Sequence, residues 1–293
     1  MIKLIITIMA FHTFTVIAEN SPRHLMKKGL KSYKEGSYTN AIDYLSKTTQ
    51  TYPDVGHYNL GIAQFRNQEY AKSSNSFEEA IRSQDLVLQA DAYYNHGTAL
   101  LAQTTKLTNS EDILNAINLT LEAIEQFELS LMLSPNAIDA KQNHEQASKL
   151  RILLEFKRGQ SLYNEAEQLL IQEQAKLAKL NYNKAEQQFR KILSELDLDH
   201  IKSKEYLSLT VEKIEMLKQA VLDAKSDLTQ SLKLIQDYQY QLASKILTHP
   251  SKERNYAFDI NSELKNRYDQ TIQKNQQIIN IVNDLLNKVN TAK

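Results

Sequence analysis

LMKKGLKSYKEGSYTNAIDYLSKTTQTYP, residues 25–53, decides the fold, because its spacing returns in the next stretch of chain. From Gly29, the residues Gly36, Tyr38, Ala41, Ile42, Leu45 and Pro53 follow at offsets 7, 9, 12, 13, 16 and 24. A second copy opens with Tyr58-Asn59-Leu60-Gly61 and continues with Tyr70, Ser73, Phe77 and Ala80, at offsets 9, 12, 16 and 19 from Gly61. Small residues at Gly29, Ala41, Gly61 and Ser73 let two antiparallel helices approach closely, while Leu45 and Phe77 fill the space beside them. Each copy therefore predicts a helix hairpin, turning at Glu35-Gly36-Ser37 and at Asn67-Gln68-Glu69. Pro53 closes the first copy because proline cannot continue a helix.

A third copy opens at Ala92-Tyr93-Tyr94-Asn95-His96-Gly97, and its second half resumes late, at Ala123, Phe127, Ser130 and Pro135. Residues 103–112 (QTTKLTNSED) are polar and aperiodic, which predicts an insertion that lengthens the turn, followed by an amphipathic helix over residues 113–133. Asn136 to Asn143 begins a helix in the first position of a fourth unit, a cap for the stack.

Composition agrees with helices. The chain has 293 residues, 42% hydrophobic and 24% charged, with six glycines and four prolines, too few for an architecture of strands and tight turns. Lysine plus arginine equal aspartate plus glutamate at 35 each, so no net field draws nucleic acid or anionic lipid. The absence of cysteine removes disulfides and thiolate chemistry. Residues 1–18 read as an export signal: Lys3, the apolar run Leu4 to Phe11, and the small-residue pattern Val16-Ile17-Ala18. An uncleaved anchor or a buried first helix is the alternative for that stretch.

With these spacings the chain resembles the tetratricopeptide-repeat family over residues 22–150, as about three repeats interrupted at 103–112. The phrase SPNAIDAKQNHEQASKLR and the openings Tyr58-Asn59 and Tyr94-Asn95 resemble more narrowly the repeat proteins of Bat (aerotolerance-type) operons. That resemblance implies a bacterial periplasmic protein at the cell envelope, working beside membrane-anchored von Willebrand A-domain proteins and a MoxR-type ATPase.

From Arg151 onward the sequence is helix-forming throughout, with its one proline at Pro250. Tyr182, Ala185, Phe189 and Ile192 repeat the second-helix spacing, which predicts a degenerate pair over 151–199 whose first helix runs from about Arg151 to Leu180. Over 200–293, Leu217, Val221, Ala224, Leu228, Ile235, Tyr238 and Leu242 form one seam. Leu264, Tyr268, Ile272, Ile279, Val282, Leu286 and Val289 form another, beyond the break at Thr248-His249-Pro250-Ser251. A long antiparallel hairpin is expected there, with homo-oligomerisation through these helices as the alternative. The fold class read from sequence is thus all-α, a solenoid of helical hairpins followed by long helices in a hairpin or bundle.

In the family this chain resembles, the first helix of each repeat lines the concave surface. The candidate partner-binding residues are Met26, Leu30 and Tyr33, then Tyr58, Ile62 and Phe65, then Tyr94, Thr98 and Leu101, an apolar and aromatic row suited to a protein interface. Cover by the insertion or the C-terminal helices is the competing reading. Asn59, Asn95 and Asn143 recur at one position, where an amide can hold a ligand's backbone or bond a neighbouring helix. The dicarboxylate clamp of chaperone-binding relatives needs lysine and asparagine where this chain has Met26 and Leu30. No HExxH, Gly-rich phosphate loop or GxSxG elbow occurs, and His96 and His144 sit where packing explains them. The sequence reads as an exported adaptor that binds a protein or peptide partner without cofactor, metal or catalysis. It would meet a membrane only through partners or an uncleaved signal; an envelope spacer is the alternative.

Overall fold

Four times the chain reverses through the same backbone device. The structure, a computed structural model, describes residues 21–105, 107 and 112–291, the side chains of 288–291 excepted; the predicted export signal and part of the predicted insertion lie outside that set. The described residues form twelve α-helices. Their order is α1 (Pro22–Lys34), α2 (Tyr38–Ser46), α3 (Pro53–Arg66), α4 (Tyr70–Ala80), α5 (Leu86–Thr104) and α6 (Ile113–Leu133), then α7 (Ile138–Ile171), α8 (Ala175–Lys191), α9 (Ile201–Gln236), α10 (Tyr240–Thr248), α11 (Lys252–Ile260) and α12 (Ser262–Thr291).

The shared device is a left-handed residue closing one helix and opening the next. Gly36 (φ 75°), Gln68 (φ 62°), Glu173 (φ 59°) and Tyr238 (φ 61°) adopt it. In each, the following N–H reaches back five residues: Ser37 to the Ser32 carbonyl at 2.9 Å, Glu69 to Gln64 at 2.9 Å, Gln174 to Leu169 at 2.8 Å, Gln239 to Leu234 at 2.8 Å. This closure satisfies carbonyls that a helix end leaves unpaired. Helix starts are capped as well. Ser21 Oγ accepts from the His24 N–H at 3.4 Å, the Asp85 carboxylate from Val87 at 2.9 Å, and Ser251 Oγ from Arg254 at 3.2 Å.

The chain divides into two compact units after Leu154. In the first, α1–α2, α3–α4 and α5–α6 are hairpins, and the start of α7 follows them. Their contact explains the small residues: a Cβ built on Gly29 would lie 2.7 Å from Leu45 Cγ, on Gly61 2.8 Å from Phe77 Cε1, and on Gly97 2.8 Å from Phe127 Cε1. Leu45, Phe77 and Phe127 are in turn buried, beside Ala41, Ser73 and Ala123. Ser73 Oγ also donates to the Gly61 carbonyl at 2.8 Å, so the small residue both makes room and bonds across the hairpin.

The second unit uses the same rule. Gly159 faces Phe189, with a Cβ–Cε1 distance of 2.6 Å, and Tyr182, Ala185, Phe189 and Ile192 are all buried as their spacing predicts. Helix boundaries differ from the sequence reading. The first helix of this pair is the same helix that begins at Ile138, and it ends at Ile171 rather than near Leu180, because the reversal falls at Glu173. Glu173 lies fourteen residues after Gly159, whereas Gly36 lies seven after Gly29, so this hairpin is two turns longer on each arm.

Residues 200–293 also divide more finely than two long helices. The chain reverses at Tyr238, making α9–α10 a further hairpin, and again around Pro250 and Asn261, giving α11 and α12. Leu228, Leu247, Ala257, Leu264 and Tyr268 share one core, and Tyr268 Oη donates to the Ala224 carbonyl at 2.9 Å. Predicted seam residues Tyr238 and Leu242 stay exposed, because the turn at Tyr238 removes them from the α9 seam.

Candidate functional site

Side chains on the first helices of the first unit are joined by a ladder of asparagines. Asn59 Nδ2 approaches Met26 Sδ at 3.9 Å, Asn95 Nδ2 donates to Tyr58 Oη at 3.2 Å, and Asn143 Nδ2 approaches Tyr94 Oη at 3.4 Å and Thr98 Oγ1 at 3.3 Å. Asn59 and Asn95 also donate to the carbonyls four residues back, Val55 and Asp91, each at 2.8 Å. One asparagine on each of α3, α5 and α7 therefore ties its helix to the preceding first helix. The structural role weighed for these residues is present, and it uses Nδ2; Oδ1 of Asn59, Asn95 and Asn143 takes no hydrogen bond among the described residues.

The ladder brings the predicted residues onto one surface. Leu30, Ile62 and Thr98 lie at equivalent positions on α1, α3 and α5, with Tyr33, Phe65 and Leu101 a turn further along. Leu30 is 37% exposed, while the other apolar candidates are half-buried. Tyr58 packs edge-on against Phe77 at 5.9 Å and Tyr94 tilted against Phe127 at 6.1 Å, each within its own hairpin. Met26, Tyr33, Tyr94 and Leu101 pack against core clusters, and Tyr33 Oη accepts from Arg66 Nε at 3.4 Å. These rings are part framework and part surface. Burial, with Asp91 nearby, raises the Tyr58 pKa against the lowering effect of Asn95, so its hydroxyl stays protonated and able to donate.

Sequence reasoning missed the cleft at one end of this face. About 460 Å³ opens between α5 and the α6–α7 connection, where Asp91 and Tyr94 face Ser134, Asn136 and Asp139. Burial and Asp85 raise the Asp91 pKa. Alignment of the asparagines holds the signal: counting back four residues from Asn95 and Asn143 gives Asp91 and Asp139, and from the equivalent Lys27 gives Arg23.

In the second unit the titratable groups are knitted into the helix packing. Buried Glu155 accepts from Gln188 Nε2 at 2.6 Å and Lys191 Nζ at 2.9 Å. Glu167 joins Tyr182 Oη and Lys213 Nζ, and Tyr163 beside it is pushed up to about 12, chiefly by burial and then by Glu167. Among the described residues no three His, Asp or Glu side chains converge to hold a metal ion, and no helix is long and apolar enough to cross a membrane.

No protein-family model and no curated protein sequence matches the chain. Among solved structures it is similar to the complex of the TPR2AB domain of yeast Sti1 with pHSP90. That match has 15% identity, covers 87% of this chain and 98% of the other, and has a TM-score of 0.38. A likeness of that size carries nothing further; the four recurring turns and the four glycine contacts by themselves make the chain a series of helical hairpins.

Proposed function

We propose that this chain is an exported adaptor of the tetratricopeptide-repeat type, whose first-helix face takes a segment of a partner protein. The observation that carries the reading is the register of α1, α3 and α5: Leu30, Ile62 and Thr98 align beside asparagines whose Oδ1 atoms remain available to a ligand's N–H groups. An extended chain offers alternating backbone donors and side chains, which is what aligned amides beside apolar positions recognise. The export signal read in residues 1–18 and the resemblance to Bat-operon repeat proteins support a place in the bacterial periplasm. They also support a membrane-anchored von Willebrand A-domain protein as the partner.

The test is a photo-crosslinking residue at Ile62 on the face, compared with one at Tyr44 on the second helix of the first hairpin, in the native envelope. Capture of one protein from position 62 alone, lost when Leu30→Ser and Phe65→Ser are added with helicity unchanged, is the expected result. Equal capture from both positions, or capture indifferent to those substitutions, would remove the face from the reading.

A second reading has its own observation. Tyr238, Leu242, Val282 and Leu286 line an apolar cleft of about 460 Å³ between α10 and α12, and Leu286 is 55% exposed. An envelope spacer that oligomerises through this surface would lose mass in light scattering on Leu286→Glu, whereas the adaptor reading expects the mass to stay the same.

A further inference from the structure

The first-helix face has an electrical direction. Alignment on the asparagine ladder gives Arg23, Lys27 and Lys34 on α1 and Arg66 on α3, all exposed; at the one position of Arg23, α3 carries Val55 and α5 and α7 carry Asp91 and Asp139. None of Arg23, Lys27 and Lys34 has an ion-pair partner among the described residues, so a positive edge stands open on α1. At the opposite edge the two aspartates meet at the cleft beside Tyr94 and Asn136. The amino end of α7 adds partial positive charge there, but Asp139 in its own first turn answers it, and Asp91 remains. Between the two edges, at the same position of α3, lies the exposed apolar Val55, and the row Leu30, Ile62 and Thr98 runs two turns further along the same helices.

Resting on the adaptor reading, we infer that the face takes an extended segment of polarised charge, its basic residue in the Asp91–Asp139 cleft and its acidic residue over Arg23 and Lys27. Packed helices lie about 10 Å apart, so the two ends are roughly 20–30 Å from each other, a span that an extended chain covers in about six to nine residues. Exposed charges of this kind select partner and register more than they add affinity, and they weaken with salt. The occupant is thus a partner segment with an acid, a short apolar stretch and a base in succession. A uniformly acidic tail of the sort a dicarboxylate clamp receives would be repelled at the α5–α7 edge.

The experiment uses the full chain and four fluorescent dodecapeptides sharing one apolar centre: acidic at one end and basic at the other, acidic at both, basic at both, and neutral. Anisotropy at low salt is expected to favour the polarised peptide over the neutral one by about tenfold, as two exposed ion pairs supply. Asp91→Asn with Asp139→Asn should erase that preference, and Asp91→Lys with Asp139→Lys should transfer it to the doubly acidic peptide. Binding of the neutral peptide as tightly as the polarised one would overturn the charge inference and leave the adaptor reading standing. Failure of all four peptides would also overturn it, since the adaptor reading is judged separately by the Ile62 crosslink.

Discussion

Asn95 on α5 donates through Nδ2 to Tyr58 Oη on α3 at 3.2 Å, and Tyr58 in turn lays its ring 5.9 Å from that of Phe77 on α4. One amide thereby links two neighbouring first helices to the core of the hairpin between them. The same amide lies on the candidate binding face, so stability and recognition share a residue.

Asn95→Ala removes both this bond and the one to the Asp91 carbonyl, while Tyr58→Phe removes only the first. A net hydrogen bond contributes about 0.5–1.5 kcal/mol, so in urea unfolding Tyr58→Phe should lower the unfolding free energy by about that much and Asn95→Ala by up to about twice as much. The double variant should be less unstable than the sum, with a coupling of about 0.5 kcal/mol or more. Simple additivity would show that the Asn95–Tyr58 bond is not held in solution.

Gly61→Ala places a methyl group against the Phe77 ring, where a Cβ would sit 2.8 Å from Cε1. Overpacking of this kind costs about 1–3 kcal/mol. Phe77→Ala, which deletes the ring that the methyl group meets, should therefore cost less beside Gly61→Ala than it does alone in thermal melts. Equal losses in both backgrounds would mean that the two side chains do not meet.

His96 is buried on α5, with Nδ1 unpartnered among the described residues. Burial pushes its pKa below the ordinary value, against the raising effects of Glu78 and Gln126. Between that lowered value and about 6.5 the unfolded chain binds the proton and the folded chain does not, so stability rises with pH through this window and falls on acidification. His96→Gln should therefore flatten the decline in urea midpoint as the pH falls below about 6.5; an unchanged slope would assign the acid sensitivity elsewhere.

Glu173 holds φ 59° in an exposed turn, a conformation that costs an L-residue about 1–2 kcal/mol and glycine almost nothing. Glu173→Gly is expected to stabilise the second unit by up to about 1 kcal/mol after the entropy of glycine is counted, visible as a rise of a few degrees in its melting transition. A fall would indicate that the turn is not left-handed.

The two hairpins hardest to place in the sequence are those that turn at Glu173 and Tyr238. Gly36 announces its turn because glycine is the residue that a positive φ favours, whereas Gln-Glu-Gln and Asp-Tyr-Gln continue a helix as readily as they end one. The second helix of the first of these was nonetheless legible in Tyr182, Ala185, Phe189 and Ile192, while its contact with Gly159, thirty residues before Phe189 instead of sixteen, was not. The candidate face was legible as a set of positions, but its state was not: Tyr58 and Tyr94 read as exposed rings until their contacts with Phe77 and Phe127 were placed.

The sequence by itself determined that the chain is helical, that its helices pair, and, in the first two copies, which small residue meets which large one. Those facts are local: the partners lie within one hairpin, and the spacing within each of its helices is set by the helix period. Tertiary structure alone decided that Asn95 meets Tyr58, thirty-seven residues away, that Asp91 and Asp139 share a cleft, and that Arg23 and Lys27 stand at the opposite edge. Those relations join successive hairpins; the repeat spacing puts these residues at equivalent positions, and how each first helix lies against the last brings them together.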